Sequence, residues 1–265
     1  MYILSGLRAL LLGLSMIFYM LIYSFRLLFI SHTPARAFAL RRSWLKYMGK
    51  PILNLRVTVE GSNVNEPALY VCNHRSFADP LAILPYLDAY VIAKAEVASY
   101  PVINKGAELT GVLYVKREDS HSRNEVRNLM VKTIQSGYNV LVFPEGTVSF
   151  HSYTMPFRAG SFNEAAKAGI AVVPMAIEFR DKRDLWLVPH FISQYLVSYA
   201  KWKTEAKVAF GPILRDSDGE KLRATAEAWT NAKMKEMRKD WSNVDFTQLD
   251  QKTPYQQALQ KKVTK

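Results

Sequence analysis

From Ala9 to Phe25, seventeen consecutive residues carry no charge, and the first acidic residue of the chain is Glu60. Basic residues frame this run: Arg8 precedes it, and Arg26, Arg36, Arg41, Arg42, Lys46, Lys50 and Arg56 follow. A helix needs about 20 apolar residues to cross a bilayer, so the run lies at the lower limit for spanning. Arg26 interrupts it before Leu27 to Ile30 add another apolar patch. The next segment, Arg36 to Leu53, interleaves five basic residues with Phe38, Leu40, Trp44, Leu45, Tyr47 and Met48. That mixture suits a helix lying among lipid headgroups, where Arg and Lys keep their charges in water and Trp anchors.

Three arrangements compete for this N-terminus. Ala35-Arg36-Ala37 faintly resembles a secretory cleavage site, but the apolar run is long for a signal. A single spanning helix is the second, with the heavier positive charge after Phe25 holding the rest of the chain in the cytoplasm. The third, a helix pair dipping into one leaflet, is favoured, because Arg26 and the short run make spanning marginal. Both surviving arrangements leave the remaining domain facing the cytoplasm.

The formal net charge of +12 points to an anionic partner. Its concentration beside an apolar segment favours an anionic membrane leaflet over nucleic acid, which calls for cations on a folded surface. Cys72 is the single cysteine, so no internal disulfide forms and a reducing compartment fits.

From Leu55 the texture becomes that of an α/β domain. Leu55 to Glu60 alternates with period two and predicts a half-buried strand; Ala68 to Cys72 predicts a second. Ser76 to Leu87 reads as helical, with Pro80 near its start. Val91 to Ala95 and Val112 to Val115 are further strands. Val126, Leu129, Met130, Thr133 and Ile134 share one helical face closed by Gly137. Tyr138 to Phe143 predicts a buried strand, Ser161 to Ala168 a helix stopped by Gly169, and Ile170 to Phe179 the next strand. Strand, helix, strand in that order implies a right-handed parallel crossover. Val208 to Phe210 adds a late strand and Leu222 to Trp241 a terminal helix. The predicted organisation is a membrane-associating helical segment at 1–54, an α/β domain at 55–241 with a single mixed, partly parallel sheet flanked by helices, and a polar, loosely ordered tail at 242–265.

Three constellations carry chemistry. Asn73-His74-Arg75-Ser76-Phe77-Ala78-Asp79 follows a strand, where α/β proteins hold their working residues. Asp79, five positions on, can fold back onto one imidazole nitrogen, fixing the tautomer and leaving the other as a base. A surface turn accounts for the same residues equally well. Phe143-Pro144-Glu145-Gly146-Thr147 ends a buried strand and offers a carboxylate, a flexible backbone and a hydroxyl, or simply an ordinary turn. Gly111 to Arg117 is a short strand ending in cations; Arg117 can hold a phosphate by paired hydrogen bonds, or be a solvated strand end.

In order and spacing these segments resemble the lysophospholipid acyltransferase family, whose best-known members acylate 1-acyl-sn-glycerol-3-phosphate. Asn73, His74, Ser76 and Asp79 match its first block, Gly111 to Arg117 resembles the second, Phe143 to Thr147 the third and Val173-Pro174 the fourth. Ala93-Lys94 and Pro156 to Gly160 resemble further recurring stretches, and the likeness covers about Leu55 to Phe210. The resemblance implies an acyltransferase with His74 as general base and Asp79 orienting it. It assigns Arg117, Glu145, Gly146 and Thr147 to the acceptor headgroup, with Lys94 a weaker candidate for the same polar wall. The acyl donor it implies is acyl-CoA or acyl carrier protein, with no cofactor and no metal. The acceptor is a lysolipid, first of all 1-acyl-sn-glycerol-3-phosphate giving phosphatidic acid. The location is the cytoplasmic face of a membrane, such as a bacterial inner membrane.

The sequence departs from the family pattern where Val148 stands in place of an arginine. Valine cannot pair with phosphate, so either other cations hold it or the acceptor is another lysophospholipid or a lyso-ornithine lipid. Two further alternatives are covalent transfer through Cys72 or Ser76, and a membrane lipid-binding protein without catalysis. No glycine-flanked nucleophile elbow is present, and binding alone has no use for a base.

Overall fold

The strand Leu69–Cys72 is buried along its whole length, and the strand Val172–Phe179 has all eight residues enclosed. Such continuous apolar runs belong in the middle of a sheet covered on both faces. In the computed structural model, which describes residues 2–94, 110–115, 119–188 and 190–251, they lie side by side. Numbered along the chain, the strands are β1 (Leu55–Glu60), β2 (Leu69–Cys72), β3 (Ala89–Lys94), β4 (Val112–Val115), β5 (Asn139–Val142), β6 (Val172–Phe179) and β7 (Thr204–Phe210). Among the described residues they form one sheet in the order β1-β7-β6-β2-β5-β3-β4. β6, β2, β5, β3 and β4 are parallel; β7 runs antiparallel to β6 and carries β1 parallel to itself at the edge. The sheet is therefore mixed and mostly parallel. β1 alternates buried and exposed residues, as its period-two sequence predicts.

The helices are α1 (Ile3–Arg26), α2 (Pro34–Trp44), a π turn (Leu45–Gly49) leading into α3 (Lys50–Leu53), α4 (Asp79–Ile83), α5 (Ser120–Gln135), α6 (Gly160–Lys167), α7 (Phe191–Tyr199), α8 (Gly219–Arg238) and α9 (Phe246–Gln251). One core face packs Leu53, Leu55, Ile83, Leu87, Ile177 and Tyr199; the other packs Met130, Phe162, Leu222 and Ala226 from α5, α6 and α8. Burial of these side chains supplies the main stabilisation, at roughly 25 cal/mol per Å² of apolar surface.

Several boundaries differ from the sequence reading, for local reasons. The helix expected over Ser76 to Leu87 contracts to α4, because Asp79 accepts backbone N–H groups ahead of it and turns the chain there. Of the strand expected at Val91 to Ala95, Ala95 lies outside the described residues. Residues 242–251, expected to belong to a loose tail, instead carry α9, whose Leu249 joins the core. The remainder of that tail lies outside the described residues. Helix α7 has no counterpart in the sequence reading.

The N-terminal helices form one unit with the sheet domain. α1 has 24 residues, a length of about 36 Å at 1.5 Å per residue. It is long and apolar enough to cross a membrane. Ile3, Leu7, Leu10, Leu14, Phe18, Leu21 and Phe25 repeat every three or four residues and stand exposed along one stripe. The opposite side is fixed: Trp44 donates from its ring nitrogen to Ser15, and Tyr23 shares a hydrogen bond with His32. Arg8 and Arg41, read as headgroup-facing charges, are buried. Arg8 donates to the carbonyls of Tyr199, Lys201 and Trp202 at the end of α7. Arg41 donates to the carbonyls of Thr110 and Ala89. Both satisfy backbone acceptors that secondary structure leaves open, where cations are favoured.

Candidate active site

Three adjacent parallel strands, β5, β2 and β6, end at the same edge, and His74, Asp79 and Glu145 gather beyond the carboxyl ends of β2 and β5. Cys72 is the last residue of β2. Asn73 then continues the ladder with its side chain, accepting from Ile177 N at 2.8 Å and donating to Ile177 O at 2.9 Å. This frees the backbone of His74 to leave the sheet. Its N–H donates to Glu145 Oε1 at 2.7 Å and its carbonyl accepts from Ser149 N at 2.7 Å.

Asp79 opens α4 and is wholly buried. One of its oxygens, Oδ2, lies 2.6 Å from His74 Nδ1 and also accepts from Arg75 N at 2.7 Å and Ser76 N at 3.1 Å. An oxygen held by three donors has a fixed position, and it makes Nδ1 the protonated ring nitrogen. Nε2 is left with its lone pair, the form of a general base. The His74 ring stacks on Phe143 at 4.3 Å between centroids, which fixes its plane. Its side chain keeps 19 % of its surface exposed, whereas that of Asp79 has none.

Glu145 is 3 % exposed. Oε1 accepts from His74 N and Oε2 from Met155 N, each at 2.7 Å, so its carboxyl ties β5 to the His74 turn and to the following loop. Burial pushes this carboxyl up to about 8, against the lowering pull of the two N–H donors. Gly146 is required at the turn: its φ is +69°, and a Cβ there would come within 2.7 Å of the Arg158 guanidinium carbon. Thr147 and Val148 are half-buried beside it. Lys94 ends β3, while Arg117 lies outside the described residues.

Cys72 is fully buried, and burial pushes its thiol well above the usual range, with Asp79 and Glu145 adding to the shift. A buried, protonated thiol is a poor nucleophile. Ser76 is also buried and accepts from Ala78 N, bracing the turn.

Two charged residues that sequence reasoning did not single out lie beneath the motif. Arg75 is 1 % exposed and donates to Glu178 at 2.5 Å and to the carbonyls of Ser149 and His151. Glu178 is the single charged residue in the otherwise apolar β6, which is the signal in the sequence that marks it. Burial of this pair is tolerated because the charges meet each other and two carbonyls accept from the arginine.

The chain matches the acyltransferase family over residues 56–178. It is 36 % identical over 112 residues to a chloroplastic 1-acyl-sn-glycerol-3-phosphate acyltransferase of Brassica napus, covering 42 % of this chain and 33 % of that one. It is 34 % identical over 152 residues to a lyso-ornithine lipid O-acyltransferase of Pseudomonas aeruginosa, covering 56 % of each. The likeness thus spans a third to somewhat over half the length of these curated relatives. The crystal structure of the 1-acyl-sn-glycerophosphate acyltransferase of Thermotoga maritima shares the fold, with a TM-score of 0.62 at 22 % identity over 90 % of this chain and 100 % of that one. Asn73 to Asp79, Phe143 to Thr147 and Val173-Pro174 all fall within the matched region, and over that region the chain is similar to the acyltransferase family and to lysophospholipid acyltransferases within it.

Proposed function

We propose that this protein transfers a fatty acyl group from the thioester of acyl-CoA or acyl carrier protein to the free hydroxyl of a lysophospholipid, with 1-acyl-sn-glycerol-3-phosphate as the acceptor. The observation that carries the reading is the His74–Asp79 pair, oriented at 2.6 Å with the imidazole partly open and the carboxylate enclosed. His74 Nε2 takes the proton of the acceptor hydroxyl as its oxygen attacks the thioester carbonyl. The carbon–sulfur bond then breaks, and the proton passes from Nε2 to the leaving thiolate. Asp79 holds the ring and stabilises its charged form. Glu145, in this reading, serves to hold the His74 turn rather than the headgroup. The family resemblance assigns Gly146 and Thr147, with Lys94 and Arg117, to the acceptor headgroup.

Membrane attachment follows from the exposed apolar stripe of α1. A one-leaflet arrangement is supported by Arg8, which bonds the second turn of α1 to the end of α7, and by Trp44, which bonds its middle to α2. A helix tied to the catalytic domain along its length brings that domain against the leaflet surface, on the cytoplasmic side where the donors are. A second reading keeps the reaction and changes the acceptor to a lyso-ornithine lipid; Val148 favours it, as does the Pseudomonas relative.

Purified full-length protein in mixed micelles, offered lysolipids of different headgroups with each donor, tests both readings. Phosphatidic acid formation from 1-acyl-sn-glycerol-3-phosphate, abolished in His74→Ala, is expected. Exclusive use of an acceptor without a phosphate monoester would select the second reading, and a radiolabelled acyl chain retained on the protein would overturn direct transfer.

A further inference from the structure

An acceptor with an anionic headgroup needs a cation near His74, and the residue that follows Thr147 is an apolar valine. Glu145, at the base of the same turn, has both oxygens committed to backbone amides. The cation arrives from another direction. Arg158 is exposed, and its backbone is fixed by donating from N to Pro144 O at 3.0 Å. Its guanidinium lies flat across Gly146: a Cβ at that glycine would be 2.7 Å from Cζ, 2.8 Å from Nε and 3.0 Å from one Nη. Glycine at 146 is thus the shelf on which this arginine rests. The neighbouring carboxyl is the one bonded to His74 N, so the guanidinium rests on the turn that is hydrogen-bonded to the one carrying His74.

Among the described residues, no carboxylate pairs with Arg158 within 4.0 Å. That distinguishes it from Arg75 and Arg223, whose guanidinium groups are bonded to Glu178 and to Glu220 and Glu227. A second arginine repeats the device: Arg127 of α5 crosses Gly160, where a Cβ would lie 2.7 Å from Nη1, and it donates to the neutral Asn124 side chain. Of the two, Arg158 is the one that rests on the turn joined to His74 through Glu145.

We infer that Arg158, laid across Gly146, binds the anionic headgroup of the acceptor. The inference rests on the acyltransferase reading above and names the group that holds its acceptor. In 1-acyl-sn-glycerol-3-phosphate the reacting hydroxyl and the phosphorus are separated by two carbons and one ester oxygen. A phosphate paired with Arg158 therefore leaves the hydroxyl within a short reach of the His74 turn. A guanidinium offers two parallel N–H donors to such a group, which fixes orientation as well as affinity.

The test is steady-state kinetics of the full-length protein. Loss of a charge-assisted pair corresponds to a change of roughly 10- to 100-fold, so Arg158→Ala is expected to raise the acceptor KM about 30-fold, leaving donor KM unchanged and kcat within about threefold. Arg158→Lys keeps the charge but not the fork and is expected to fall between. Val148→Arg in the Arg158→Ala background is expected to recover part of the loss, because it returns a cation to the same turn. A readout independent of turnover is the protection of the protein against heat by glycerol 3-phosphate, expected in wild type and absent in Arg158→Ala. An acceptor KM within threefold of wild type, or a loss falling equally on donor KM, overturns the inference. Absence of acyl transfer by wild type would defeat the reading on which it rests, and the heat-protection measurement would still decide whether Arg158 binds an anion.

Discussion

Among the described residues two histidine–aspartate pairs are present, and they are built in opposite ways. In the first, Asp79 is wholly buried, its Oδ2 is held by three donors, and His74 opens partly to solvent. In the second, the imidazole is the enclosed partner. His151 lies between the rings of Phe150 and Tyr153 with 4 % of its side chain exposed, and Asp250 of α9 is the more open group at 28 %. The Nδ1–Oδ1 separation is 3.2 Å, and Asp250 also accepts from Ser152 N and Oγ at 2.9 and 2.6 Å. The first pair presents an oriented imidazole to solvent; the second latches α9 onto the loop that supports His74 and Arg75. What makes a histidine–carboxylate pair a catalytic candidate is therefore which member is enclosed, and not the pairing itself.

Breaking the first pair has the largest expected effect. Replacing the base, as in His74→Ala, should lower kcat by about 10³-fold, within the range supplied by a positioned general base. The measurement is initial-rate transfer at saturating donor, with circular dichroism to verify the fold; activity within tenfold of wild type would remove His74 from the mechanism. Asp79→Asn should follow at about 10²-fold, since the amide keeps an acceptor for the turn but loses the charge that steadies the imidazolium. An equal loss of thermal stability and activity would reduce Asp79 to a structural part.

The second pair should respond differently. Asp250→Ala removes three hydrogen bonds at the latch and is expected to cost about 1–3 kcal/mol of stability, with kcat at saturating substrates within a few-fold of wild type. Chemical denaturation checks this, and a kcat loss comparable to Asp79→Asn would mean that α9 acts on the chemistry.

The smallest effect is a pH dependence with two opposite signs. Burial lowers the His151 imidazole, with the Asp250 bond opposing it. The unfolded chain then binds the proton more readily, so this group's contribution to stability is present above about 6.5 and is lost as pH falls. Glu145, pushed up to about 8 by burial, contributes in the reverse sense. Its part is fully present below about 4.5 and declines as pH rises towards 8. Melting temperature against pH should show a shallower acid side in His151→Gln and a shallower decline through neutral pH in Glu145→Gln. Unchanged profiles in both variants would show that neither group titrates as its burial requires.

Much of the sheet was legible because its strands announce themselves locally. LRVTVE alternates, and VVPMAIEF is continuously apolar except for Glu178. The His74–Asp79 pair was legible because both residues belong to one turn. Glu145 was visible as a residue, but its partners were not, since His74 N and Met155 N come from different segments. Arg8 and Arg41 read as membrane-facing charges, because the sequence around them is basic and greasy. Only the fold reveals that open carbonyls at Thr110, Ala89 and the end of α7 claim them. Helix α9 escaped notice because six mostly polar residues hold no helical signal of their own; it forms against Arg75, Arg238 and the core.

The sequence by itself determined the apolar, basic N-terminus, the α/β class, the proposed base with the acid beside it, and the likeness to the acyltransferases. All of these depend on side-chain chemistry repeated at short, regular spacings. Tertiary structure alone decided which charges remain available to a ligand. Desolvation obliges every enclosed cation to find a partner, and those partners lie far along the chain. Arg8, Arg41 and Arg75 are taken up in that way. Arg158 lies exposed across Gly146, beside the turn that carries the base.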